Sequence, residues 1–159
     1  MAYDGGVPMG AELGARPMGA SPTFFVSALR DAMGAPLQHV QIVKGWLDGG
    51  VTRERVHDVA GDPRNGAGVD ETTCAPTGAG ADALCETWTD PDFDPSVPAF
   101  YYARVIENPT CRWSRYACNA EAVDCATIDD TDPFWGCCDP NLTHTIQERA
   151  WTSPIFYVP

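Results

Sequence analysis

The sequence is short of positive charge. It holds a single lysine, Lys44, and nine arginines against 22 Asp and Glu, for a formal charge of −12. No basic stripe is available to release counterions from a phosphate backbone, which excludes nucleic acid as a partner, and repulsion excludes anionic membrane surfaces. Long apolar runs are missing too. The most apolar stretch, Val97 to Ile106, is interrupted by Arg104 and falls short of the ~18 residues of a membrane helix, so no membrane span is expected. Met1 is followed by Ala2, Tyr3, Asp4 and glycines, with neither a basic nor an apolar region, and no signal peptide is expected there. No C-x-x-C, H-x-H or H-x-x-x-H pair, P-loop, Gly-x-Ser-x-Gly elbow or dinucleotide fingerprint occurs; Gly66/Gly68 and Gly78/Gly80 lack the partners such loops need. His39, His57 and His144 are isolated and read as structural or surface residues. These absences leave no catalytic, cofactor-binding or metal-ligating set, and the lone lysine reads as nucleotide bias alongside abundant Ala, Gly and Pro.

What is present is a globular composition. The 159 residues, 44% hydrophobic and 10% aromatic, suit one domain. Residues 1–22, with five glycines from Gly5 to Gly19 and three prolines, read as an extended or irregular segment, and 23–159 as the domain proper. Thr23 to Leu29 is a strand-length apolar run bounded by proline and glycine. Leu37 to Trp46 alternates, Asp48-Gly49-Gly50 supplies a tight turn, and Thr52 to Val59 reads as the return strand. Residues 61–73 form a loop, Ala83 to Trp88 a strand, and Ala99 to Glu107 a central strand apolar on both faces. Residues 108–143 read as a disulfide-stapled excursion with a short helix near Asn119 to Val123. A last strand runs from Thr145 to Val158, interrupted at Pro154. Short strands between turn signals, with no sustained helical period, predict an all-β fold: an antiparallel β-sandwich with long disulfide-stapled loops.

Three groups of residues merit attention. Cys74, Cys85, Cys111, Cys118, Cys125, Cys137 and Cys138 lack zinc spacing and are disulfide candidates. Cys74 and Cys85 flank a glycine-rich loop that a local disulfide would close, and the other five then allow fifteen arrangements of two bonds and one thiol. Asp90, Asp92 and Asp94 are spaced as in some Ca²⁺ loops, although Pro95 and Tyr101 stand where an EF-hand requires Gly and Glu. Arg104, Arg112, Trp113, Arg149 and Trp151 set guanidinium groups among indoles, a combination suited to a domain interface or to anion recognition.

Four runs carry a family resemblance: Tyr3 to Leu13, Leu37 to Gly49, Thr87 to Ser114 and Thr145 to Tyr157. Together they resemble the C-terminal region of a large bacterial family catalogued as a domain of unknown function. That family is similar to the PHP (polymerase and histidinol phosphatase) metal-dependent hydrolases, and its members commonly carry export signals. The resemblance implies that the His/Asp metal motifs lie upstream, so that no catalytic residue maps onto this sequence and any divalent metal belongs to the upstream part. The expectation is a C-terminal piece of a longer periplasmic or secreted protein, packed against an intramolecular catalytic domain and inactive alone. The alternatives are a free-standing binding module for an anionic or carbohydrate ligand and a Ca²⁺-stabilised extracellular domain.

Overall fold

The computed structural model describes residues 5–159. In chain order the strands are β1 (Glu12–Leu13), β2 (Thr23–Leu29), β3 (Leu37–Asp48), β4 (Val51–Gly61), β5 (Gly68–Val69), β6 (Pro76–Thr77), β7 (Ala83–Thr89), β8 (Ala99–Glu107) and β9 (Thr110–Cys111). Helix α1 (Trp113–Ala120), a 3₁₀ turn at Trp135–Cys137, and strands β10 (Thr145–Ile146), β11 (Arg149–Trp151) and β12 (Ile155–Tyr157) complete the chain. The fold is all-β, in two unequal layers. A six-stranded sheet runs β1-β12-β8-β3-β4, with β11 also pairing β8. Over it lies a two-stranded ribbon of β2 and β7, and the minor pairs β5-β6 and β9-β10 sit in the connections.

The β3-β4 hairpin closes at Gly49 and Gly50, whose φ of 56° and 83° suits a turn that L side chains enter at a cost. Its ladder slips between Val40 and Gln41, so Val59 is an extra residue on β4; a second slip between Leu37 and His39 leaves Gln38 unpaired with β8. Gly61 sits in the kinked end of β4 at φ 78°, where an added Cβ would lie 2.3 Å from the Gln38 carbonyl oxygen. The period of two then sorts the side chains. Val40, Ile42, Ala99, Tyr101 and Ala103 of the large sheet face Phe24, Val26, Leu84 and Trp88 of the ribbon, and this contact is the core.

Three expectations change. First, Ala99 to Glu107 is central in the sheet, between β3 on one side and β11 and β12 on the other, but only one face is covered along its whole length. Phe100 on the other face is 37% exposed, because no second layer lies over it. Second, the sheet is not wholly antiparallel: β1, within the segment read as irregular, pairs parallel to β12 at Glu12↔Phe156 and Leu13↔Tyr157. The helix also begins at Trp113, ahead of Asn119 to Val123, and the interruption at Pro154 divides the last strand into β11 and β12.

Third, Cys74 does not pair with Cys85. The disulfides are Cys74–Cys111, Cys118–Cys137 and Cys125–Cys138, and Cys85 is the free thiol. On β7 the alternation that turns Leu84 and Trp88 into the core turns Cys85 outward, opposite Ser27, where no other cysteine reaches it. Cys74 instead ties the loop between β4 and β7 to β9, and the other two bonds staple α1 and the segment after it. Such bonds persist in oxidising, extracellular compartments.

Candidate functional site

The one lysine of the chain lies inside the fold. Strand alternation puts Lys44 on the inner face of β3 with Val40 and Ile42, directly across from Tyr101 of β8, and leaves it 6% exposed. An ammonium there needs a counter-ion. Asp90, which follows β7 and is fully buried, supplies it at 2.5 Å from Lys44 Nζ. The Tyr101 hydroxyl donates to the same carboxylate oxygen at 2.7 Å, the Asp92 amide donates to the other at 3.0 Å, and Lys44 donates to the Asp92 carbonyl at 2.9 Å. The ammonium also lies 5.3 Å from the Trp46 ring centroid. Burial, then the hydrogen bond to the Asp90 carboxylate and its charge, push the Tyr101 phenol far above its ordinary pKa, so it stays a hydrogen-bond donor.

A cleft of about 250 Å³ opens above this cluster, walled by Trp46, Phe93 and Tyr101, with Arg55 and Asp92 paired at its rim. Composition had made Lys44 look incidental; a lone lysine within an apolar alternating strand was the available signal. With three donors on Asp90, the cluster is built to hold a loop onto the sheet.

The carboxylates with calcium-like spacing turn to different partners. Asp90 takes Lys44 and Tyr101, Asp92 takes Arg55, and Asp94 accepts from the backbone and hydroxyl of Ser96, which holds its carboxyl below the usual range. Among the described residues no three His, Cys, Asp or Glu side chains converge as a metal site.

The structure divides the Arg/Trp set. Arg104, Arg149 and Trp151 lie on the paired strands β8 and β11, with Trp151 opposite Arg104. Arg112 and Trp113 stand apart at the start of α1, where Arg112 Nε donates to the Thr145 carbonyl and Trp113 is 82% exposed. Arg104 Nε donates to Gln41 Oε1 at 2.8 Å, and Gln41 Nε2 donates to Asp58 at 2.7 Å, a chain of contacts across three strands. The face that carries Arg104 also presents Leu47, Val56, Phe100, Trp151 and Phe156, all at least 37% exposed. Phe100 lies across Gly45: a Cβ on that glycine would be 2.2 Å from the ring. An apolar groove of about 500 Å³ runs between Leu47, Phe100, Phe156 and Val158.

At one end of this face sits His39, 6% exposed, its Nδ1 3.1 Å from Gln38 Oε1 and its Nε2 3.6 Å from Asp58. Burial lowers its pKa from 6.5; the nearby Asp58 and Asp62 pull it up and Arg104 pushes it down, but desolvation is the largest effect. The unfolded chain therefore binds a proton that the folded chain resists. Stability is greatest above the unfolded value and falls as pH drops through about 6.5 and on toward the lower folded value. Denaturant midpoints measured across that window should fall less steeply in His39→Gln than in the parent; identical slopes would show that His39 contributes nothing.

A family model described as "Protein of unknown function (DUF3604)" matches residues 1–159, and the chain belongs to that family. The match carries no link to PHP-type hydrolases. No curated protein and no solved structure matches the chain.

Proposed function

We propose that this member of the DUF3604 family is an accessory β-domain that docks through the outer face of its large sheet onto a catalytic domain, has no turnover of its own, and works in the periplasm or outside the cell. The observation that carries this is the uncovered row of Leu47, Val56, Phe100, Trp151 and Phe156 beside an apolar groove. Large contiguous apolar patches on soluble domains mark interaction surfaces. Arg104 and Arg149 sit on the same two strands and suit pairing with acidic groups across the interface. In this reading, which follows the resemblance noted above, the docked domain is a metal-dependent hydrolase of PHP type, and it would hold any divalent metal.

Two measurements test the reading. Phosphatase and phosphodiesterase assays of the isolated chain with Mn²⁺ or Zn²⁺ should show no turnover, and activity that survives rigorous purification would refute it. Hydroxyl-radical footprinting should label Phe100, Trp151 and Phe156 heavily in this chain and weakly in a longer member of the family; equal labelling would remove the docking surface.

A further inference from the structure

The second layer of the sandwich is short of strands. β2 pairs with β7 alone, and among the described residues no backbone group of Thr23–Leu29 bonds to any other segment. The ribbon is placed with β7 against β4 and β3, so the other edge of β2 faces the part of the large sheet formed by β8, β11 and β12. Between that edge and the run Gly6 to Met9 lies a slot of about 750 Å³. Its floor and walls include Val26, Ile42 and Ala103 of the core and Ile155 packed against it, an apolar surface along which a further strand could lie.

The charge of the slot is unlike that of the chain. Among the described residues no Asp or Glu lines it, although the protein carries a net −12, and the charged side chain that does line it is Arg16. Arg16 Nε is buried and has no hydrogen-bond partner among the described residues. A buried donor of this kind costs free energy until an acceptor reaches it, and a carboxylate is the acceptor that fits a guanidinium best.

We propose that this slot takes an extended peptide strand bearing an acidic side chain, which pairs with the free edge of β2 and completes the second layer. An open strand edge offers alternating amide and carbonyl groups that only another main chain can match, while pockets on the floor take alternate side chains. An aliphatic carboxylate would satisfy Arg16 and leave that edge unpaired. The slot is on the opposite face of the large sheet from the docking row, so this inference stands or falls separately from the proposed function.

The test uses a capped seven-residue peptide of alternating Thr and Val with a central Glu, matched to the seven residues of β2, titrated into the ¹⁵N-labelled chain. Saturable shifts should appear in the amides of Thr23–Leu29, Ala103 and Ile155, with slowed exchange along β2. Changing the peptide Glu to Gln, or Arg16→Gln in the protein, should each weaken binding by about tenfold, the loss of one charge-assisted hydrogen bond. The peptide change reports this even if the protein variant folds poorly. A peptide N-methylated on the amides facing β2 should not bind. Equal binding of the N-methylated peptide would overturn the proposal. Occupancy of the same residues by decanoate but not by the peptide would do so in favour of a small amphiphile, and a peptide-free dimer with these amides protected would do so in favour of a second copy.

Discussion

Lys44→Met is expected to cost about 3–5 kcal/mol of folding stability, the largest effect of any single substitution in the core, because it strands a buried carboxylate. Asp90 is fully buried, and its counter-charge is the Lys44 ammonium 2.5 Å away. The lost ion pair itself is the smaller part of the effect. Two charges taken out of water repay little, whereas one charge left alone keeps its whole desolvation penalty. The loop Asp90 to Pro95 would then lose one of its tethers, since Lys44 also holds the Asp92 carbonyl. Adding Asp90→Asn to Lys44→Met should recover part of the loss, because a neutral amide oxygen still accepts from the Tyr101 hydroxyl and no charge remains. Urea midpoints with unchanged m-values should therefore show strong non-additivity between the two positions. Simple addition of the two effects would mean that the pair does not act as a unit.

Reduction of the disulfides is expected to destabilise the chain in two stages. Loop closure predicts about 4 kcal/mol for the 37-residue separation of Cys74 and Cys111, and about 3 kcal/mol each for the 19- and 13-residue separations of Cys118–Cys137 and Cys125–Cys138. The two shorter bonds staple a segment with one eight-residue helix and a single 3₁₀ turn and few buried side chains, Cys118 and Cys137 among them. Removing them should abolish amide protection between Trp113 and Cys138 while β3 and β8 stay protected, a local unfolding. Cys74 and Cys111 are both buried and join the long loop to β9, so replacing that pair should lower the midpoint of the whole domain. Before reduction, thiol titration of the denatured chain should find one reactive group, Cys85, and mapping should place it there. A label on Cys111, with Cys85 unreactive, would restore the local Cys74–Cys85 pairing that spacing alone had favoured.

Much of the strand order was legible because turns and alternation are local. Asp48-Gly49-Gly50 accepts positive φ wherever it occurs, and the runs from Leu37 and from Val51 alternate on either side of it, so the hairpin followed from neighbours in sequence. The same logic placed β2, β7 and β8. It failed at Ala99 to Glu107 in one respect, since apolar residues on both faces of a strand look alike whether a second layer covers them or a partner is meant to. Phe100 and Tyr102 stack in parallel on the open face with centroids 6.4 Å apart, and nothing in the local pattern separates them from a core pair.

The candidate site was far less legible. Lys44 and Asp90 are 46 positions apart by their numbers, and neither stands in a motif. The aspartates with calcium-like spacing were visible, but their spacing could not tell that Asp90 turns inward to an ammonium and Asp92 toward Arg55. The Arg/Trp set fared similarly. Arg104 and Trp151 became neighbours because β11 pairs with β8, while Arg112 and Trp113 were carried off by α1.

By itself the sequence determined that this chain is an acidic, disulfide-bearing, all-β domain with its first hairpin closed at Asp48-Gly49-Gly50, because composition, alternation and turn chemistry act over a few residues. Only the tertiary structure decided which cysteines meet, which carboxylate answers the lone lysine, and which edge and face of the sheets are left open. Those outcomes depend on contacts between segments far apart in the chain, and strand register, not spacing, brings such segments together.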